Sequence, residues 1–284
     1  MKAPDPDADL RLTRDRQELK FLVPRARAAA VIAGLDARLP RHRFAGDGSN
    51  TLPRAEHYVT TVYFDTPSGA VLDAARAGHR HAKLRARQYY DLHPDLVELA
   101  LTAGEAAKSS PVLWLELKSR DGAQSGKRRV GIPRDELDSF FRDGVISERM
   151  RSIQAATHGE QADSVFEALR EFREGFGEPL EAACLVQYCR IAWQPPEEIL
   201  RITLDQNLKV YPRELLFEGF DPLSLMQATP IYAEPNAVLE VKSGAHWPAW
   251  LGELLREQGV EARDYSKFLV ASAARGHKGR TATG

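Results

Sequence analysis

The sequence predicts an α+β fold: a closed antiparallel β-barrel of about eight strands with helices packed outside it. Three observations point there. Seven segments alternate apolar and polar residues with the two-residue period of a strand. Helical segments are inserted between and after them without a regular strand–helix repeat. The polar strand faces are rich in Arg and Lys, although the 284-residue chain has 39 Lys and Arg against 40 Asp and Glu.

Residues 1–10 are expected to be disordered. RLTRDRQELKFLV (11–23) alternates as a strand, and RARAAAVIAGLDARL (25–39), started near Pro24, reads as a helix. RHRFAGDGSNTLPR is a loop. HYVTTVYFDT (57–66) is a strand rich in β-branched and aromatic residues. SGAVLDAARAG is a short helix and HRHAKLRARQYY (79–90) a strand. Residues 91–111 read as a loop or insertion. VLWLELKSR (112–120) is a strand, DGAQSG a turn, and KRRVGIP (127–133) begins another strand. PRDELDSFFRDG, SERMRSIQAATH and SVFEALREFREGF read as helices. EAACLVQYCRIAW (181–193) and ILRITLDQNLKVY (199–211) are long strands, and NAVLEVKSG is the last. WPAWLGELLREQG (247–259) and SKFLVASAAR (266–275) are helical. No composition break marks a second domain, so residues 11–275 are expected to form one domain and 276–284 a flexible tail.

An apolar content of 43% supports a core. The formal net charge of -1 names no partner, so the distribution of charge has to carry the information. Cys184 and Cys189 differ by an odd number within one strand, face opposite sides and should not bridge. A reduced, cytoplasmic chain is expected. The N-terminus has no apolar signal core, and no run approaches the roughly 20 apolar residues of a membrane span.

Glu-x-Lys recurs on one face of three strands: Glu18 and Lys20, Glu116 and Lys118, Glu240 and Lys242. The other polar faces carry Arg14 and Arg16, then Lys83, Arg85 and Arg87, then Lys127 and Arg129. Arg190 lies beside Tyr188, and Arg201, Thr203 and Asp205 align further on. With Arg120 and Lys267, fourteen cations stand against four carboxylates, Glu18, Glu116, Asp205 and Glu240. A sheet with one wet face also alternates, and for any single strand that ordinary explanation suffices. Across seven strands it weakens, because like charges opposite each other destabilise a sheet unless something anionic relieves them. If helices cover the apolar faces, the charged faces line a lumen. A barrel of about eight strands has room there for a ligand. Arg forks and Lys point charges suit phosphate oxygens, and the few carboxylates suit a divalent cation shared with those phosphates.

RQELKF, VYFDT, KLRARQY, LELKSR, KRRV, YCR, RITLD and AVLEVKSG, followed by WPAWLGEL and YSKF, resemble the VTC domain family. These are polyphosphate polymerase domains of the triphosphate tunnel metalloenzyme (CYTH-like) superfamily. The segments run from residue 14 to about residue 270. The resemblance implies catalytic roles for Lys20, Arg85, Arg87, Arg190, Arg201 and Glu240. It implies phosphate contacts for Lys83, Lys118, Lys127, Arg129, Lys242, Ser266 and Lys267. Glu240 would bind Mn²⁺ or Mg²⁺, with Glu18 and Glu116 as further candidate ligands. Arg16 replaces the first carboxylate of the Glu-x-Glu-x-Lys pattern of the hydrolytic relatives, which shifts the site from two-metal hydrolysis toward anion binding and transfer. Eukaryotic members carry an SPX domain before the tunnel and membrane spans after it. Neither is expected here, nor is control by inositol phosphates.

The expected activity is transfer of the ATP γ-phosphate onto a growing inorganic polyphosphate chain. The partners are then ATP and polyphosphate, with a separate membrane partner left open. Alternatives are a metal-dependent tri- or polyphosphate hydrolase, using Glu18, Glu116 and Asp205, and a polyphosphate-binding module without turnover. Nucleic acid is not an expected partner, since there is no basic helix or aromatic RNP-type pattern. Several residues also have plain explanations. His79 and His81 fit a solvated strand start. Trp247 and Trp250 fit helix anchors, and Tyr63 and Tyr89 fit packing better than base stacking. Glu18 fits either a ligand or a partner of Arg16 or Lys20, and Glu116 with Lys118 fits an ion pair.

Overall fold

Alternating side chains commit each strand to one buried face, and the strands assemble so that all of those faces agree. A computed structural model describes residues 17–42, 56–78, 80–90, 112–121, 124–136, 139–140, 145–158, 162–195, 200–216, 228–244 and 247–278. The expectations for residues 1–10, for the 91–111 insertion and for His79 lie outside the described residues. The strands are β1 (Gln17–Pro24), β2 (Glu56–Asp65), β3 (Arg80–Tyr90), β4 (Val112–Asp121), β5 (Gln124–Pro133), β6 (Glu181–Trp193), β7 (Arg201–Tyr211), β8 (Tyr232–Ala233) and β9 (Asn236–Ser243). The helices are α1 (Arg25–Asp36), α2 (Ala70–Ala77), α3 (Glu148–His158), α4 (Ala162–Glu174), α5 (Ala249–Glu257) and α6 (Lys267–Lys278).

All strand pairings are antiparallel, in the order β1-β9-β7-β6-β2-β3-β4-β5, with β8 beside β7. The fold is therefore α+β around one antiparallel sheet. Hydrogen-bonded closure of the sheet is not found among the described residues: β1 and β5 end the path. Their outer edges are occupied by other groups. The Arg263 N–H donates to the Lys20 carbonyl at 2.8 Å, and Gln154 Nε2 donates to the Arg129 carbonyl at 3.1 Å. Such cover also blunts the edge-pairing hazard of an open sheet. The sheet nevertheless curls, because Glu18 on β1 reaches to 3.5 Å from Lys118 on β4.

The outer face is apolar. Phe21, Ile202, Leu204, Leu239 and Val241 pack against Val31 and Leu35 of α1 and Leu251 and Leu255 of α5. Gly34 marks the close approach of those two helices, since a Cβ there would meet Leu254 Cδ1 at 2.5 Å. Trp247 stacks on Phe21, with ring centroids 5.8 Å apart, and Arg38 lies over Trp250. Leu84, Leu115, Leu117, Val130 and Ile132 belong to a second cluster with Met150, Val165, Phe166 and Leu169.

One helix departs from the expected outside packing. α6 packs on the inner face, where Phe268 tilts against Tyr63 at 5.3 Å and Lys267 meets Asp205. The inner face turns apolar at that end through Tyr63, Val186, Leu208 and Val238, and burying them requires an apolar cover. Other differences are local. The turn expected over 121–126 is tighter, since Asp121 pairs with Gln124. The helix expected from Pro133 opens as a 3-10 turn, Arg134–Glu136, and residues 139–140 within it are helical. β8 escaped notice. The β6–β7 register slips between Gln187 and Cys189, where Asn207 takes a φ of 52°. Asn tolerates that left-handed conformation better than most residues. Both cysteines are buried and neither is in a disulfide. Among the described residues, no helix is long and apolar enough to cross a membrane.

Candidate active site

Strand register gathers the polar residues onto the inner face. Lys20 of β1 pairs with Glu240 of β9, and Glu18 with Lys242. Across β9 and β7, Glu240 faces Thr203 and Lys242 faces Arg201. Arg190 faces Asp205. Arg85 faces Glu116, which in turn faces Arg129, and Lys83, Lys118 and Lys127 form a row across β3, β4 and β5. Among the described side chains, eleven cations (Lys20, Lys83, Arg85, Arg87, Lys118, Lys127, Arg129, Arg190, Arg201, Lys242 and Lys267) share this face with Glu18, Glu116, Asp205 and Glu240. Arg14, Arg16 and the Arg120 side chain lie outside the described residues.

The four carboxylates fall into two kinds. Glu116 and Asp205 are fully buried and enclosed by cations. Glu116 lies 2.7 Å from Arg85, 3.8 Å from Arg87, 3.3 Å from Lys127 and 3.2 Å from Arg129. Burial alone would raise its pKa, but these cations hold the carboxyl well below the usual range. Asp205 takes Arg190 in a bidentate pair at 2.5 and 2.7 Å and Lys267 at 2.6 Å. Burial opposes its charge, yet the two cations lower its pKa.

Glu18 and Glu240 are the reachable pair. Their side chains are 30% and 16% exposed. Lys242 lies 2.9 Å from Glu240, while Glu18 meets Lys20 at 3.3 Å, Lys118 at 3.5 Å and Lys242 at 3.9 Å. Burial and the neighbouring Glu240 push the Glu18 pKa up, and the lysines more than offset them. Desolvation lowers the pKa of Lys118.

The start of α6 completes the face. Lys20 Nζ donates to the Tyr265 carbonyl at 3.0 Å, and Lys83 Nζ stands 3.4 Å from Ser266 Oγ. The buried hydroxyls of Thr61, Tyr188 and Thr203 make no hydrogen bond among the described residues. Thr61 was not legible as a site residue, because a threonine on a strand rich in β-branched residues carries no distinctive signal. Arg201 lies near enough to His42 to help burial lower that imidazole's pKa. Tyr63 is buried against Phe268, and Arg129 lies 4.4 Å over the Trp114 ring.

The family model for the VTC domain matches residues 15–275, and the chain belongs to this family. No curated protein matches the sequence. In structure the chain is similar to an adenylyl cyclase candidate from Hippeastrum with a dominant triphosphatase activity, at 15% identity and a TM-score of 0.49, covering 91% of this chain and 95% of that one. It is also similar to an adenylate cyclase candidate from Bacillus halodurans, at 13% identity and a TM-score of 0.47, covering 89% and 96%. A Pyrococcus horikoshii protein is similar at 12% identity and a TM-score of 0.40, covering 89% and 96%.

A divalent ion fits the donor set only in part. Among the described residues, no cluster of three or more His, Cys, Asp or Glu stands ready to hold a metal. Glu240 and Glu18 offer carboxylate oxygens beside Lys20, Lys118 and Lys242. That is the donor set from which Mg²⁺-like ions are held by one or two carboxylates plus substrate phosphates.

Proposed function

We propose that this chain is an ATP-dependent polyphosphate polymerase whose inner face forms a tunnel for phosphate chains. The observation that carries the reading is the division of the carboxylates. Glu116 and Asp205 are fully buried among cations, so the face is left strongly positive and, among the described residues, Glu18 and Glu240, partly exposed and themselves beside lysines, are the carboxylates left to reach a metal. Water activation by a two-metal hydrolase calls for more.

In this reading the ATP triphosphate lies among Arg85, Arg87, Arg190 and Arg201, which align the γ-phosphorus with the end of a polyphosphate chain. Lys20, Lys83, Lys118, Lys127, Arg129, Lys242, Ser266 and Lys267 hold the remaining phosphates. Glu240 with Glu18 would hold Mn²⁺ or Mg²⁺, which supplies neutralisation of charge on the phosphate oxygens. Glu116 serves the guanidinium groups instead. The attacking terminal phosphate is already anionic, so no general base is needed, and alignment with charge neutralisation supplies the catalysis. A membrane partner that receives the product is compatible with this scheme.

The test is purified protein with ATP and Mn²⁺, with products resolved by length on a gel. Long polymer together with ADP is expected. Orthophosphate without polymer would establish the hydrolase, and tight polyphosphate binding without turnover would establish a binding module. Arg85→Ala and Arg87→Ala are each expected to weaken tripolyphosphate affinity by roughly 10–100-fold, as for one lost charge-assisted hydrogen bond. Calorimetry in moderate salt checks this, and unchanged affinity would refute the placement of the chain on this face.

A further inference from the structure

We infer that Glu234 is a positioning residue whose carboxylate fixes the start of α6, so that Ser266 and Lys267 stand on the charged face. The inference rests on the phosphate reading above. Glu234 lies in the link between β8 and β9. Its partners among the described residues are neutral donors. Tyr232 Oη donates to it at 3.0 Å, Tyr265 Oη at 3.1 Å, the Asn236 backbone N–H at 3.2 Å and Asn236 Nδ2 at 3.1 Å.

Three of these bonds tie the carboxylate to the start of β8 and the start of β9 on either side of it. The fourth reaches 31 residues along the chain to Tyr265. Residues 263–266 have no helix or strand of their own, so tethers decide where they lie. Tyr265 directly precedes Ser266. Its carbonyl accepts from Lys20 Nζ at 3.0 Å, Ser266 Oγ stands 3.4 Å from Lys83 Nζ, and Lys267 meets Asp205 at 2.6 Å. The carboxylate thus adds a side-chain tether, beside the Arg263 N–H on the Lys20 carbonyl, to a segment that touches Lys20, Lys83 and Asp205 in turn. A charged acceptor makes roughly twice as strong a bond as a neutral one, which suits it to holding a segment without regular structure.

The test compares wild type, Glu234→Ala and Tyr265→Phe by two measurements. Deuterium uptake of the amides in 263–270 is read in ligand-free protein, and tripolyphosphate affinity is read in EDTA. Uptake is expected to rise about 10-fold in Glu234→Ala, as local opening becomes easier. Affinity is expected to fall about 10-fold while the melting temperature holds, with a smaller effect in Tyr265→Phe. Loss of affinity at unchanged melting temperature is what a packing role alone would not give. If Glu234→Ala does not fold, Tyr265→Phe carries the test, since it removes only the hydroxyl. Unchanged uptake overturns the inference, and so does faster uptake with unchanged affinity. If wild type binds no tripolyphosphate, the phosphate reading fails, and the exchange measurement still decides whether Glu234 orders the segment.

Discussion

Glu240→Gln is expected to lower Mn²⁺-dependent ADP release by roughly 10³-fold, a loss of about 4 kcal/mol of transition-state stabilisation. Glu240 sits between Lys20 on β1 and Thr203 on β7, so its backbone is fixed from both sides. The amide keeps that register and the side-chain volume, and removes only the charge a divalent ion requires. Lys242, 2.9 Å away in the wild type, and the nearby Lys20 then lose an anionic competitor for phosphate. Tripolyphosphate binding in EDTA should therefore persist or tighten slightly. Steady-state rates with Mn²⁺ and calorimetry with tripolyphosphate separate the two effects. A variant as fast as wild type would remove Glu240 from the metal site. Glu18→Gln then reports on the second carboxylate: a similar fall in rate makes it a ligand, and a retained rate makes it a partner of the lysines.

The inner face was legible because its grammar is strict. A one-residue slip in NAVLEVKSG would bury Glu240 and Lys242 in the cluster that holds Leu239 and Val241. The 181–193 strand is a different case: Ala183 to Cys189 are buried without a break, so its length and β-branched and aromatic content mark it rather than alternation. The pairing of charges was not legible. Glu18 meets Lys118 across the curl of the sheet, and nothing local to either residue announces it. Nor does spacing reveal that Glu116 is enclosed by four cations while Glu240 is reachable. α6 shows an apolar face in its sequence but not which side of the sheet that face covers. That is decided by Tyr63, Val186 and Val238, on three other strands. β8 is two residues long, too short to show any period. Glu234 follows it in a stretch without alternation, and its role depends on a tyrosine far along the chain.

Glu116→Gln is expected to destabilise the fold by about 3–5 kcal/mol at neutral pH, the usual consequence of removing one partner from a buried ion cluster. The carboxylate is fully buried, and its four cations come from β3 and β5, on either side of its own strand. Without its charge, Arg85, Arg87, Lys127 and Arg129 repel one another with nothing anionic between them. Denaturant titrations read the deficit directly. Its pH dependence has a definite sign. The folded carboxyl is held below the ordinary glutamate value of 4.5, so its contribution is complete above that value and is lost as pH falls through the depressed one. Wild type and variant should therefore converge in acid. A phosphate chain offers the cations a replacement anion, so tripolyphosphate should raise the midpoint of Glu116→Gln more than that of wild type. Equal shifts would mean that these four cations do not face the ligand. A variant as stable as wild type without phosphate would mean that Glu116 does not hold them together.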